Sequence, residues 1–126
     1  MIGADTNLII RFLVRDNDEQ AFKVKSLLEE GTQLYLNEVV VAELYWVLRH
    51  VYNYTPNEIV LAFDNLLETR NVSFFNSEVV RLALSDYIHS SVGFADCLIH
   101  RINAAVTTRT YTFDKRASSL TFMELL

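Results

Sequence analysis

The stretch Thr55 to His89, TPNEIVLAFDNLLETRNVSFFNSEVVRLALSDYIH, decides the fold. Thr55 opens it as a helix cap. Pro56 takes the first helical position, where its missing N–H is not needed, and Glu58 stands where its carboxylate returns a bond to the cap backbone. The helix gives way to a short strand, Asn71 to Phe75, and Ser77 starts a second helix that runs to His89. The alternation extends in both directions. Upstream, Ile2 to Asp5 reads as a strand and Thr6 to Val14 as a helix ending near Arg15. Asp16 to Glu19 resembles a capping box opening a helix through Ala21, Phe22, Val24, Leu27 and Leu28, which Gly31 stops. Leu34 to Leu36 is a second strand and Val39 to about Tyr52 a further helix. Downstream, Gly93 to Asn103 reads as a helix and Thr107 to Phe113 as a fourth strand. Strands alternating with helices predict an α/β protein whose parallel sheet is covered on both faces.

With 126 residues, three glycines and one proline, the chain offers no linker, repeat or low-complexity segment and is expected to form one domain, residues 1–126. That length buries roughly two thirds of the unfolded surface, enough for a core without staples. A single cysteine, Cys97, excludes an internal disulfide, and three scattered histidines lack zinc-site spacing. The start of the chain has no basic signal-peptide region and no apolar run reaches the roughly eighteen residues of a membrane span, so a reducing, cytoplasmic setting is expected. A net charge of −5 argues against a broad basic surface for nucleic acid. It does not exclude nucleic acid, because carboxylates gathered for a metal lower the charge by themselves and the metal then attracts phosphate.

Four acids stand out. Asp5 closes the first strand, Glu43 interrupts the apolar run VVVAELYWVL, Asp96 lies in VGFADCLIH and Asp114 ends YTFDKR. An isolated buried carboxylate is costly, so four such positions imply a shared positive partner, and a divalent metal is the economical one. Oxygen-only ligands favour Mg²⁺ or Mn²⁺ over zinc or copper. In parallel α/β sheets ligands bind outside the carboxyl ends of the strands, where Asp5 and Asp114 fall. Glu43 and Asp96 sit within the first turn or two of helices, so all four are expected on one rim.

Each acid also has a structural reading. Asp5 is a natural N-cap, Glu43 a surface or snorkelling residue, Asp96 a cap or surface aspartate and Asp114 a turn residue. Glu43 is the hardest to explain this way, since its helical neighbours are Val39, Val40, Trp46 and Val47. His100 and Cys97 read as core or cleft-wall residues. Arg109, Lys115 and Arg116 bracket the Asp114 turn, either as solvated charges or as contacts to a phosphodiester backbone. Tyr45, Trp46, Tyr52 and Tyr54 read as core or partner surface, with base stacking as the weaker option.

Taken together, Asp5-Thr6-Asn7, the run Arg11 to Asp16, Ala42-Glu43-Leu44, Phe94-Ala95-Asp96 and Thr112-Phe113-Asp114-Lys115 resemble the PIN-domain ribonucleases, and among them the VapC-type toxins of toxin–antitoxin pairs. The likeness runs essentially end to end and rests on order and spacing. It implies a three-layer fold with a central parallel sheet of about four or five strands flanked by helices. It also implies a metal-dependent endoribonuclease in which Asp5, Glu43, Asp96 and Asp114 are the catalytic acids and Asn7 and Thr112 support them. Asp5 and Asp96 would be the core metal ligands, with Glu43 and Asp114 binding directly or through water. A cognate antitoxin and a homodimer follow from the same resemblance. The segment Ala104 to Thr108 lacks the family's usual glycine, and His100 replaces a small residue, which bears on the shape of the cleft near Asp96.

Other acidic-pocket folds fit less well. A receiver domain needs an aspartate at the end of its third strand, where Phe74-Phe75-Asn76 stands, and haloacid-dehalogenase-type phosphatases need Asp-x-Asp where this chain has Asp5-Thr6-Asn7. Dinucleotide and P-loop sites need glycine-rich turns. The remaining alternative is a PIN-like fold kept as a non-catalytic protein- or RNA-binding module.

Overall fold

A computed structural model describes residues 1–126. They form two compact units, 1–75 and 76–126. The architecture is α/β, with six helices and five short strands, and every strand pairing is parallel.

In the first unit β1 (Ile2–Gly3), β2 (Leu34–Leu36) and β3 (Val72–Phe74) pair in the order β1-β2-β3, with Ile2 opposite Leu34 and Leu36 opposite Phe74. Helices α1 (Thr6–Val14), α2 (Asp18–Glu29), α3 (Glu38–His50) and α4 (Pro56–Glu68) connect them. α1 packs on both α2 and α3, and α4 packs on α3 and β3. Ile9, Leu34, Leu36, Val41, Leu44, Leu48, Ile59 and Phe63 are completely or almost completely buried. Their burial supplies roughly 1.5–3 kcal/mol each before entropy is charged against it.

In the second unit α5 (Ser77–His89) packs on α6 (Phe94–Ala104), and β4 (Thr110–Thr112) pairs with β5 (Met123–Leu125). A short 3₁₀ turn, Ala117–Ser119, lies between those strands. The five strands are thus grouped three and two by their ladders.

The helix starts follow from capping chemistry. Asp5, Asn17, Asn37, Thr55 and Asn76 each accept a backbone N–H of the first turn, and Thr55 with Glu58 completes the reciprocal box. One expected cap is corrected: α2 is capped by Asn17, not from Asp16. Asp16 turns instead to Arg11, 2.9 Å away, and accepts a hydrogen bond from the Tyr52 hydroxyl at 2.9 Å. The expected strands at 2–5, 71–75 and 107–113 shorten to the residues that make ladder bonds. No helix is long and apolar enough to cross a membrane.

Candidate functional site

In the first unit Asp5 sits two residues past β1 and caps α1, its Oδ1 accepting from the Leu8 N–H at 2.9 Å. The second carboxylate oxygen is not needed for the cap. Thr6, the next residue, donates its hydroxyl to Glu43 Oε2 at 3.1 Å. That bond ties the start of α1 to the second turn of α3 and brings the Asp5 segment and Glu43 into one neighbourhood. Thr6 was not singled out from sequence; a hydroxyl directly after an acidic cap was the available signal. Asn7 lines a separate small cavity of about 340 Å³ with Arg11, Gln20 and Lys23.

In the second unit Asp96 lies in the first turn of α6, whose N-cap Gly93 provides no side-chain bond. A carboxylate there is favoured by the positive end of the helix dipole. Asp114 follows β4. Its backbone N–H donates to Thr112 Oγ1 at 3.0 Å and its Oδ1 accepts from the Ala117 N–H at 3.0 Å, so Thr112 orients Asp114. Asp96 and Asp114 line one cavity of about 430 Å³ together with Lys115 and Arg116. Two carboxylates and two cations therefore face one space. Arg109 is directed elsewhere: it pairs with Glu124 at 3.3 Å and lies 5.2 Å over the Tyr111 ring.

The four acids are not buried as expected. Asp5, Glu43 and Asp114 are exposed and Asp96 is half-buried. Helix α3 is apolar on nearly every face, and the face it buries carries Val40, Val41, Leu44 and Leu48. Glu43 shares the open face with Val39 and Trp46, which are 63% and 56% exposed, so apolar neighbours in sequence did not mean an apolar environment. The structural readings of Asp5 as a cap and Asp114 as a turn residue hold as local chemistry, and both leave a carboxylate oxygen for another partner.

His100 and Cys97 are core residues, as expected. His100 Nε2 accepts from the Phe122 N–H at 3.2 Å, and its Nδ1 lies 3.3 Å from Asp86 without hydrogen-bond geometry. Asp86 is held bidentately by Arg101, at 2.7 and 3.0 Å. Burial, and then the adjacent Arg101, hold the imidazole pKa below its usual 6.5 against the opposing pull of Asp86. Burial drives the Cys97 thiol up to about 11, which removes it as a nucleophile or thiolate ligand near neutral pH.

The PIN domain family model matches residues 3–122. The chain belongs to the PIN-domain family. PIN domains are generally nucleases and typically use divalent metal ions, so the chain carries a nuclease-type fold. The match extends through both units and includes all four acids. No curated protein matches the chain.

The donor chemistry fits a hard cation: the candidate ligands are carboxylate oxygens, accessible from solvent, with hydroxyls holding Glu43 and orienting Asp114. Neither unit by itself brings together three His, Cys, Asp or Glu side chains that could hold a metal ion. Asp5 and Glu43 belong to one unit, and Asp96 and Asp114 to the other.

Proposed function

We propose that the two units act as one PIN domain, a Mg²⁺- or Mn²⁺-dependent endoribonuclease, and that the protein is the VapC-type toxin of a cytoplasmic toxin–antitoxin pair. The observation that supports this most is the cavity in which Asp96 and Asp114 face Lys115 and Arg116, within a chain whose family is generally nucleolytic. Asp5 and Asp96 are the core ligands in this reading, and Glu43 and Asp114 complete the set. A bound divalent ion would supply an acidified water and neutralise charge on the phosphodiester.

The residues of the chain have the complementary work. Asp5 and Asp114 keep one oxygen engaged with the backbone, which fixes the direction of the other. The Thr6 hydroxyl restrains Glu43, and Thr112 restrains the Asp114 turn. Lys115 and Arg116 offer charge to an RNA phosphate beside the carboxylates, a contact that fixes position and carries no sequence information. Arg109, already paired with Glu124, contributes less. The open apolar face of α3, with Val39 and Trp46, suits a protein contact, either the second copy of a homodimer or the antitoxin.

The test is cleavage of a mixed RNA pool with Mn²⁺ or Mg²⁺, with EDTA and Asp96→Asn as controls. Loss of cleavage in both controls supports the reading. A folded protein that neither cleaves RNA nor binds Mn²⁺ would favour the second reading, a non-catalytic binding module, which draws on the absence of a three-ligand group within either unit.

A further inference from the structure

A cavity of about 680 Å³ in the first unit lies away from the acids. Gly31 and Asn71, which line it, directly precede the segments entering β2 and β3, whereas Asp5 and Asn37 follow β1 and β2. The cavity is therefore at the edge of the parallel sheet where strands begin, opposite the edge that carries Asp5.

Three cationic side chains, Arg15, Lys25 and Arg70, line it over an apolar floor of Phe12 and Leu28. Glu29 and Glu30 also reach the rim, but Glu29 is engaged with Lys25 only in an exposed 3.8 Å pair, which is worth little. Three cations against the two carboxylates leave one excess positive charge here, in a chain of net charge −5. The ordinary reason for cations here would be the carbonyls at the C-termini of α1, α2 and α4, which meet at this edge. Several of those carbonyls are already served. Ser26, Leu27 and Leu28 of α2 accept from the N–H groups of Glu30, Thr32 and Gly31, and the Asn71 side-chain amide also donates to Leu28 O. Asn65 and Leu66 of α4 accept from the Thr69 hydroxyl and N–H. Among α1 carbonyls, Phe12 O accepts a long 3.4 Å bond from Arg15 Nε.

Backbone geometry adds a second observation. Arg15, with φ of 59°, occupies a left-handed helix end that glycine or asparagine fills more easily. At the matching end of α2 the chain uses Gly31, with φ of 91°, and before β3 it uses Asn71, with φ of 70°. Of these three positions, the one at the end of α1 carries an arginine, and its side chain lines the cavity.

We propose that this cavity is a phosphate-binding site, in which Arg15 and Arg70 hold the phosphate with Lys25 beside them and Phe12 and Leu28 receive an apolar group such as a nucleoside. Guanidinium forks match phosphate oxygens bidentately, which a solvated lysine surface does not. The site is independent of the carboxylates and does not require a metal.

Isothermal titration calorimetry of the full chain in EDTA, with AMP and with adenosine, tests this, since EDTA removes metal-bridged phosphate binding at the acids. AMP is expected to bind and adenosine not to. Arg70→Gln and Arg15→Gly are each expected to weaken AMP binding about tenfold or more. The Arg15→Gly protein should melt at or above the wild-type temperature, because glycine suits the backbone there. A purely structural Arg15 would give the reverse, a lower melting temperature with AMP binding intact. Displacement of AMP by a short oligoribonucleotide would identify the phosphate as an RNA backbone group; AMP binding without displacement would identify a free nucleotide. Absence of AMP binding to folded wild-type protein, or equal binding by both variants, would overturn the proposal.

Discussion

Replacing Asp5 separates the structural role of this residue from its chemical one. Its Oδ1 accepts the Leu8 N–H at 2.9 Å with the backbone extended at φ −87° and ψ 171°, the geometry of an N-cap. Asparagine presents the same carbonyl-type acceptor and ranks with aspartate as a cap, so Asp5→Asn forfeits only the charge at the helix N-terminus, about 0.3–1 kcal/mol. Alanine removes the acceptor as well and costs about 1–2 kcal/mol in all. Urea unfolding followed by circular dichroism should therefore rank wild type, Asp5→Asn and Asp5→Ala in that order, with the larger step at alanine. Metal-dependent RNA cleavage should fall at least a hundredfold in both variants, because both lose the charged ligand. Cleavage that survives in Asp5→Asn would refute the catalytic assignment. Destabilisation by asparagine equal to that by alanine would refute the capping argument.

Two other outcomes follow from the geometry. His100 is held neutral in the fold, so its folded pKa lies below the unfolded value of about 6.5. As pH falls through that value the unfolded chain takes up the proton first, so this group's contribution is complete above about 6.5 and is lost progressively below it. The urea midpoint of wild type should thus fall more between pH 7 and 5 than that of His100→Asn; equal slopes would remove His100 as the cause. Thr55→Ala should cost about 1 kcal/mol by opening the α4 capping box, measured by the same unfolding assay. An unchanged midpoint would mean that packing alone sets the start of α4.

Local signals in the sequence were strong where they are chemical. Thr55, Pro56 and Glu58 announced a helix start that the structure realises bond for bond, and Arg15 marked the end of α1. Asp16 misled because three competing acceptors, Asp16, Asn17 and Asp18, are adjacent, and the choice of Asn17 depends on Arg11 and Tyr52, the latter distant in sequence. β5 gave no warning: Met123–Leu125 is a three-residue strand in an unpunctuated terminal run, and only its pairing with Thr110–Thr112 defines it. The four acids could be singled out by their order and spacing, but their environment could not be read. Periodicity cannot say which face of an all-round apolar helix such as α3 is buried, and Glu43 lies on the open one. The cation-lined cavity was equally invisible, since Arg15, Lys25 and Arg70 come from three helix ends that only the fold brings together.

In the proposed function, acids from residues 1–75 and 76–126 hold the same ion. A double-mutant cycle of Mn²⁺ affinity tests it directly, using wild type, Asp5→Asn, Asp96→Asn and the double variant, each checked for folding by circular dichroism. A shared ion predicts that each single change weakens Mn²⁺ binding at least tenfold and that the double change costs clearly less or more than the sum, because the two ligands act on one bound species. Strictly additive losses, or unchanged Mn²⁺ affinity in either folded single variant, would contradict the account.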